Sequence, residues 1–360
     1  MKGEDYVKIL KSKGSSLFIV FLSVLLLLVG CSSNSSSSTI TTTASTSNEG
    51  SANTSGNDES VYADGKPVTL VAPASPGSGW DLTARALVEV FTKEQLVDFP
   101  VPVINEAGAT GAVSLSQLVT ANKGGVDKIS VTSTPIMSNY LRGLSDYSYE
   151  DVTMIARLMT EYYTVIVPKD SKYQTLTDLL NEIKEDPKSV AIGASGDDQL
   201  PFALLVDAVG GDASSINFIS YEGGGEITNA VLNGDIKAAM SGISEFTAQI
   251  ESGEFRALAV TSEERLGGVM AEVPTAVELG IDVTFGNWRG LMGPPEMPQD
   301  AVAYWQNVIE KTLQTETWKD LAAKNQWETT FMKGEEFQNY LDEANDAYIK
   351  GLETTNQLKK

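Results

Sequence analysis

Between Ala74 and Asp81 the chain reads Ala-Ser-Pro-Gly-Ser-Gly-Trp-Asp, a turn of small residues set between an apolar run at Val68 to Ala72 and a helical pattern starting near Trp80. A strand, a tight turn and an immediate helix start leave backbone amides exposed. First-turn N–H groups have no partner inside a helix, and the helix dipole adds positive potential there. Such a corner receives a carboxylate or a phosphate. Gly77 and Gly79 can adopt backbone conformations that aim amides into a cleft. Ala74, Ser75, Pro76, Gly77, Ser78, Gly79, Trp80 and Asp81 are therefore candidate ligand contacts. Similar corners recur at Gly108 to Gly111, Gly193 to Asp197 and Gly223 to Gly225. Ligands of open α/β sheets sit beyond the carboxyl ends of strands, which adds Ser133, Thr134, Ser195, Gly196, Asp197, Tyr221, Gly223, Gly224, Gly225 and Ser241 as candidates.

Charged residues in these corners have competing readings. Asp81 could bind a ligand ammonium or hydroxyl, or it could pair with Arg85 one turn later. Arg289 could clamp a carboxylate, although a structural pair at a domain joint is the better expectation; Glu222 is expected to be solvated. Trp80 either walls the cleft or staples the loop to the core, and Trp288, at the cleft's hinge, is a further candidate ligand contact. Familiar catalytic motifs fail on detail. Gly77-Ser78-Gly79 begins a dinucleotide fingerprint whose third glycine position holds Leu82, and no Gly-Lys-Ser/Thr occurs. The chain has no histidine, which removes the commonest general base and zinc ligand and every Ser-His-Asp or Cys-His arrangement. A single cysteine, Cys31, excludes disulfides within the chain and cysteine metal sites. Neither a cofactor nor a metal is expected, and the chain reads as a binding protein and not an enzyme. The alternative from another class is a surface hydrolase working through acids such as Asp81 and Asp197.

The elements that must position these corners alternate between short β-rich runs and helical patterns, the signature of an α/β architecture. Runs at Val101 to Ile104, Lys128 to Ser133, Tyr163 to Pro168, Ser189 to Ala194, Ile216 to Ser220, Lys237 to Met240 and Phe255 to Val260 read as strands. Leu82, Ala86 and Val90 mark the buried face of the first helix, and Thr175 with Asp178 caps a helix stopped by Pro187. From about Gln299 the chain reads as largely helical to its end. Joints near Glu161 and Asn287 divide the pattern into a first lobe at 63–161, a second lobe at 162–286 and a return to the first lobe at 287–360. Two crossings make a hinge, and a cleft between lobes is where small ligands sit.

The N-terminus sets the compartment. Lys2, Lys8, Lys11 and Lys13 precede an apolar run from Leu17 to Val29, which ends in Leu28-Val29-Gly30-Cys31. That run is shorter than the ~20 residues a membrane span requires and fits a lipoprotein signal peptide over residues 1–30, with Cys31 as the lipidation site. Residues 31–62 are Ser- and Thr-rich and read as a flexible tether. Such a tether suggests a Gram-positive surface, with the folded part held outside the cell membrane. A net charge of −22 repels nucleic acid and anionic lipid headgroups, so neither is expected as a partner.

Several motifs together resemble the substrate-binding proteins of tripartite tricarboxylate transporters, the Bug receptors. They are Pro-Gly-x-Gly-Trp-Asp-x-x-Ala-Arg at Pro76 to Arg85 and Asn105 with Gly108-Ala109-x-Gly111. Further along come Tyr221-x-Gly-Gly-Gly-Glu, Ser241-Gly-x-Ser-Glu-Phe and Asn287-Trp-Arg-Gly. The resemblance implies a two-lobed type II periplasmic-binding-protein fold with an interdomain cleft. It also implies a small carboxylate, a di- or tricarboxylate, held by loop amides and ordered water. The partners it implies are the integral-membrane permease subunits of an ion-driven secondary transporter, with the receptor acting as a monomer. An ATP-driven importer or a sensor kinase is the alternative recipient of the ligand. This chain departs from the family at Ala107 and, more consequentially, at Gly193 to Leu200, where relatives commonly carry a glycine-rich turn with a histidine.

Overall fold

The computed structural model describes residues 61–359. The signal peptide, the tether up to residue 60 and Cys31 lie outside the described residues. In chain order the first elements are β1 (Thr69–Ala72), α1 (Gly79–Lys93), β2 (Val103–Asn105), α2 (Ala112–Ala121), β3 (Lys128–Ser133), α3 (Pro135–Leu141) and β4 (Thr153–Pro168). Next come α4 (Leu176–Glu185), β5 (Ile192–Ser195), α5 (Gln199–Ala208), β6 (Phe218–Tyr221), α6 (Gly224–Asn233), β7 (Ala238–Gly242), α7 (Thr247–Glu251) and β8 (Phe255–Val260). The chain finishes with β9 (Gly286–Gly293), α8 (Gln299–Gln314), α9 (Glu316–Asn325), β10 (Trp327–Lys333) and α10 (Gly334–Thr354).

Local chemistry accounts for the helices that matter most. Ser78 caps α1 by accepting from the Asp81 amide, Asp81 and Lys93 suit the two ends of the dipole, and Ala84, Leu87, Val90 and Phe91 form its buried face. A reciprocal capping box between Thr175 and Asp178 starts α4, which buries Leu176, Leu179, Leu180 and Ile183.

Strand β4 organises the sheets. Its 16 residues are much longer than a typical strand. Thr153 to Tyr162 pair antiparallel with β9, and Ala156 to Glu161 also pair with β10. Tyr163 to Ile166 pair antiparallel with β7, and Thr164 to Pro168 with β8. On one side β9 leads to β3, β1 and β2; on the other β7 leads to β5 and β6. The result is two α/β lobes threaded on one strand. Each has a parallel three-stranded block, β2-β1-β3 in the first lobe and β7-β5-β6 in the second. The first core centres on Leu70, Leu87, Ile129 and Trp305. Val165, Leu179, Ile192 and Phe202 centre the second. The expected joints are neighbours across strands, because Glu161 stands opposite Asn287 in the β4–β9 register.

Two expectations change. The C-terminal region is interrupted by β10, whose partner β4 lies far away in sequence. In addition, α10 does not stay with the first lobe. Phe337 and Leu341 pack beside Trp288, whereas Tyr348 and Leu352 belong to the core of the second lobe.

A buried ion pair lies at the crossing. Arg289 on β9, 2 % exposed, pairs with Glu161 on β4, which is wholly buried. The guanidinium also donates to the Gly79 carbonyl and, at 2.9 Å, to the Thr83 hydroxyl. The second Glu161 oxygen accepts from the Ser244 amide at 2.8 Å. Removing one partner of such a pair leaves an uncompensated buried charge, at a cost of about 3–5 kcal/mol. We expect Arg289→Ala to lose stability of that order in urea denaturation. Adding Glu161→Gln to it should recover part of the loss. A double variant no more stable than the single one would show that packing, and not charge, dominates.

Candidate functional site

The β1–α1 loop is fixed from within. Buried Asp81 accepts from the Gly77 amide at 2.9 Å, from Arg85 at 2.9 Å and from Asn105 at 3.0 Å. Burial pushes this carboxyl up, but the bonds from Arg85, Gly77 and Asn105 outweigh it and hold it below the usual carboxylate range. Asn105 also donates to the Ala74 carbonyl at 3.0 Å, tying both ends of the loop to β2. Asp81 thus belongs to the loop's own scaffold and not to the cavity lining.

The two glycines of the loop serve different needs. Gly77 has φ +81°, the left-handed region where other residues are strained. Gly79 is already helical, and its constraint is close approach, since a β-carbon there would overlap the Arg289 guanidinium. The amides of Gly79 and Trp80 find no acceptor among the described residues and remain at the helix's positive end.

Above this corner lies a small, partly open cavity between the lobes. The first lobe supplies Ala74, Ser78, Gly79, Trp80, Thr110, Ser133, Pro135 and Asn287 to its wall. From the second lobe come Ser195, Asp197, Asp198, Glu222, Gly223, Ser241 and Glu245. Trp80 donates from its indole nitrogen to the Ser133 hydroxyl at 2.9 Å, so it both walls the cavity and anchors the loop. Gly111, with φ +86°, approaches the Trp80 ring so closely that a β-carbon would stand 2.9 Å from it.

The lobes also meet directly. Asp197, 2 % exposed, accepts from Thr134 and Ser138 of the first lobe, and Arg142 donates to the Gly196 carbonyl at 2.7 Å. Ser75 reaches Glu226 at 3.3 Å.

Several candidates therefore fall outside the cavity wall. Thr134 and Gly196 join the lobes beside it, while Gly77 holds the loop turn. Ser75, Pro76 and Gly225 lie where the two glycine loops face each other, with the Pro76 carbonyl 3.2 Å from the place a β-carbon on Gly225 would occupy. Gly224 gives its amide to the Glu245 carboxylate, and the Tyr221 ring lies near Gly193. Trp288 is 1 % exposed and packs edge-on against Phe337 and Tyr340, because β9 turns that side chain toward α10 and not toward the cleft.

Glu222 is half-buried, with one oxygen shielded and without a hydrogen-bond partner, and Asp198 and Glu245 join it on the cavity wall though the sequence did not single them out. Asp198 accepts from Ser241 at 2.8 Å. Burial, reinforced by the charges of Asp197 and Glu161, pushes Asp198 up to about 7. Glu245 is pushed up to about 8 by burial and by Asp198 and Glu161, against the pull of Arg289 and the Gly224 amide. Glu245 could have been suspected from Ser241-Gly-x-Ser-Glu-Phe.

A two-lobed α/β body with a polar interlobe cavity, ringed by strand-to-helix corners, defines a solute-binding receptor. This chain belongs to the tripartite tricarboxylate transporter receptor family, whose sequence profile matches residues 84–351. It is a substrate-binding receptor of the extracytoplasmic kind and not an enzyme. Among the described residues no helix is long and apolar enough to cross a membrane. It is 26 % identical to the protein BugT of Bordetella pertussis, over 69 % of this chain and 77 % of that one. A Cupriavidus necator protein from the gbd 5' region is 22 % identical over 78 % and 84 % of the two chains. In three dimensions it resembles the periplasmic binding protein BugD, with TM-score 0.75, 21 % identity and coverage of 82 % and 99 %. It also resembles MatC of Rhodopseudomonas palustris, solved with malate, at TM-score 0.69, 18 % identity and coverage of 82 % and 99 %. A second R. palustris protein, solved with adipate, gives 0.71, 19 % and coverage of 81 % and 97 %.

The raised carboxyl groups make stability depend on pH. Asp198 and Glu245 hold protons more tightly in the folded chain than their ordinary values of 3.8 and 4.5 allow in the unfolded one. Between about pH 4 and 8 the folded state therefore binds more protons, and stability falls as pH rises through that window. Without ligand, the melting temperature should drop from pH 5 to pH 8 and level off above it. Glu245→Gln should flatten the upper part of that slope. A melting temperature that climbs across the window would mean these carboxyls are ionised without penalty.

Proposed function

We propose that this chain is a lipid-anchored receptor that captures a small carboxylate in the interlobe cavity and delivers it to the membrane subunits of a secondary transporter. The observation that carries the reading is the pair of unengaged amides at Gly79 and Trp80, which open on a cavity with wall residues from both lobes. Ser78, Ser133, Ser195 and Ser241 add hydroxyls to that wall. Malate and adipate in two relatives of the same fold support a small organic acid as the ligand class. The lobe division at 63–161, 162–286 and 287–360 belongs to this reading, with α10 as a strap across both lobes. So does the release of ligand by opening about β4 and β9.

Anchoring through Cys31 rests on the Leu-Val-Gly-Cys ending of the apolar segment. The Ser/Thr tether is the ground for placing the protein on a Gram-positive surface, and relatives from Bordetella, Cupriavidus and Rhodopseudomonas lend that detail no support.

Ligand that binds only the folded cavity stabilises it by mass action, about 2.7 kcal/mol at a hundred times the dissociation constant, or a rise of several degrees in melting temperature. Thermal scans with citrate, tricarballylate, succinate, malate and glutamate should therefore find a stabilising member that is recovered chemically unchanged. Trp80 fluorescence should shift with it. If neutral sugars stabilise the protein while every carboxylate leaves it unmoved, the ligand class is wrong. Separately, a Cys31→Ser protein should lose detergent-dependent membrane association on fractionation; unaltered partitioning would remove the lipid anchor from the proposal.

A further inference from the structure

Arg142, the residue that ends α3, carries a charge the surrounding chain does not answer. It is 7 % exposed, and its Nη1 donates to the Gly196 carbonyl at 2.7 Å. Nε and Nη2 are shielded and have no hydrogen-bond partner among the described residues. The other arginines are accounted for. Arg85, Arg265 and Arg289 face carboxylates. Arg256 donates to the carbonyls of Lys169, Ser171 and Tyr173, and Arg157 lies over the Tyr340 ring. A buried guanidinium with one carbonyl for company is expensive, because a carbonyl supplies no counter-charge.

The surroundings of Arg142 have the same sign. The side chain lines an open cavity together with Gln199, Ser214, Phe218, Asn356 and Lys359, and this cavity shares no wall residue with the one beside Trp80. Among the described residues neither aspartate nor glutamate lines it, although acidic residues outnumber basic ones by 48 to 26 in the chain. Lys359 is held there by the backbone. Its amide donates at 2.9 Å to the carbonyl of Leu141, the residue before Arg142. The wall therefore joins the end of α3 in the first lobe, the start of α5 in the second, and the segment that follows α10.

We infer that this cavity is a second ligand site, which takes a small oxyanion between Arg142 and Lys359. Nε and Nη2 form one edge of the guanidinium, two parallel N–H groups that match two oxygens of a phosphate, a sulfate or a carboxylate. Lys359 adds a flexible point charge, and the Asn356 amide is a further donor. Both arginine nitrogens are shielded in this packing, so entry requires a small shift of the surrounding side chains, of which Leu144 and Lys359 are exposed. Gly196 stands between Ser195 and Asp197 of the interlobe wall, so an anion that fixes Arg142 also steadies the turn behind that wall. The inference is independent of what the interlobe cavity binds.

Sodium phosphate, sulfate and acetate test it, each compared with sodium chloride at equal ionic strength, because screening of the net charge acts alike for all of them. At least one oxyanion should titrate calorimetrically and raise the melting temperature where chloride does neither. Arg142→Gln should weaken that binding at least about tenfold, and Arg142→Lys, which keeps the charge and loses the fork, should restore only part of it. Lys359→Ala removes an exposed side chain and should weaken binding severalfold with the ligand-free melting temperature unchanged, which keeps the test alive if the Arg142 variants fold poorly. Ser195→Ala and Ser241→Ala, on the interlobe wall, should leave oxyanion binding as it is. Binding lost in the two serine variants and kept in Arg142→Gln and Lys359→Ala would put the anion in the interlobe cavity and overturn the inference. So would a response equal in every variant. A wild-type protein that treats oxyanions and chloride alike would also overturn it, since the charge of Arg142 would then be balanced within the chain.

Discussion

Arg289 and Glu161 face each other where β9 returns alongside β4, and the geometry of the cavity follows from what that pair touches. The guanidinium reaches the Gly79 carbonyl and so sets the first turn of α1; the carboxylate reaches the Ser244 amide and so sets the turn after β7. One buried pair thereby connects the amide corner of the first lobe to the acidic corner of the second. Its own desolvation is expensive, and a hydrophobic replacement could serve stability as well. Its use is positional. Gly79 and Gly242 follow from it, because a β-carbon at either would collide with the arginine or with the glutamate.

The same pair settles how a polar cavity can lack a free cation. With Arg289 held by Glu161, no lysine or arginine among the described residues lines the cavity wall, and its negative potential comes from acids buried for other reasons. Asp197 is the example: it fastens the second lobe to Thr134 and Ser138. Its neighbour Asp198 lies beside it on the same turn and bears the electrostatic consequence of that fastening. A loop chosen for lobe contact thus sets the polarity of the ligand's environment.

Sequence reasoning reached the corners because their signals are local. Ser78, Gly77 and Asp81 lie within a few residues of each other, and a cap, a left-handed turn and a first-turn acid can be read from types and spacing. The parallel blocks were legible for the same reason, strand by strand. What stayed hidden depends on distant partners. Strand β10 is defined by pairing with β4, more than a hundred residues away, and its Trp-Glu-Thr-Thr-Phe-Met-Lys pattern sits between two strong helices. The direction of Trp288 is fixed by β9 pleating against Phe337 and Tyr340 of α10. Asp197 reads as a ligand contact in a turn, and nothing local shows that Thr134 and Ser138 close over it.

The long strand also constrains how the lobes can move relative to each other. Two segments cross between lobes, β4 at Tyr162–Tyr163 and the chain at Phe285–Gly286; Tyr162 pairs with Gly286 as the last rung of the β4–β9 ladder, and the Phe285 amide already bonds the Thr261 carbonyl. A paired two-strand crossing bends and twists more readily than it shears, since shear would break the ladder. α10 adds a third tie, with its beginning packed on the first lobe and Tyr348 and Leu352 in the second core. Opening must therefore stretch or tilt α10 as β4 and β9 twist. The contacts between the facing loops are polar: Ser75 with Glu226, Thr134 and Ser138 with Asp197, and Arg142 with the Gly196 carbonyl. Those hydrogen bonds are few and hydrophilic, so water can replace them at little net cost. The apolar packing around α10 resists, and the balance between the two sets how readily the cavity opens to solvent.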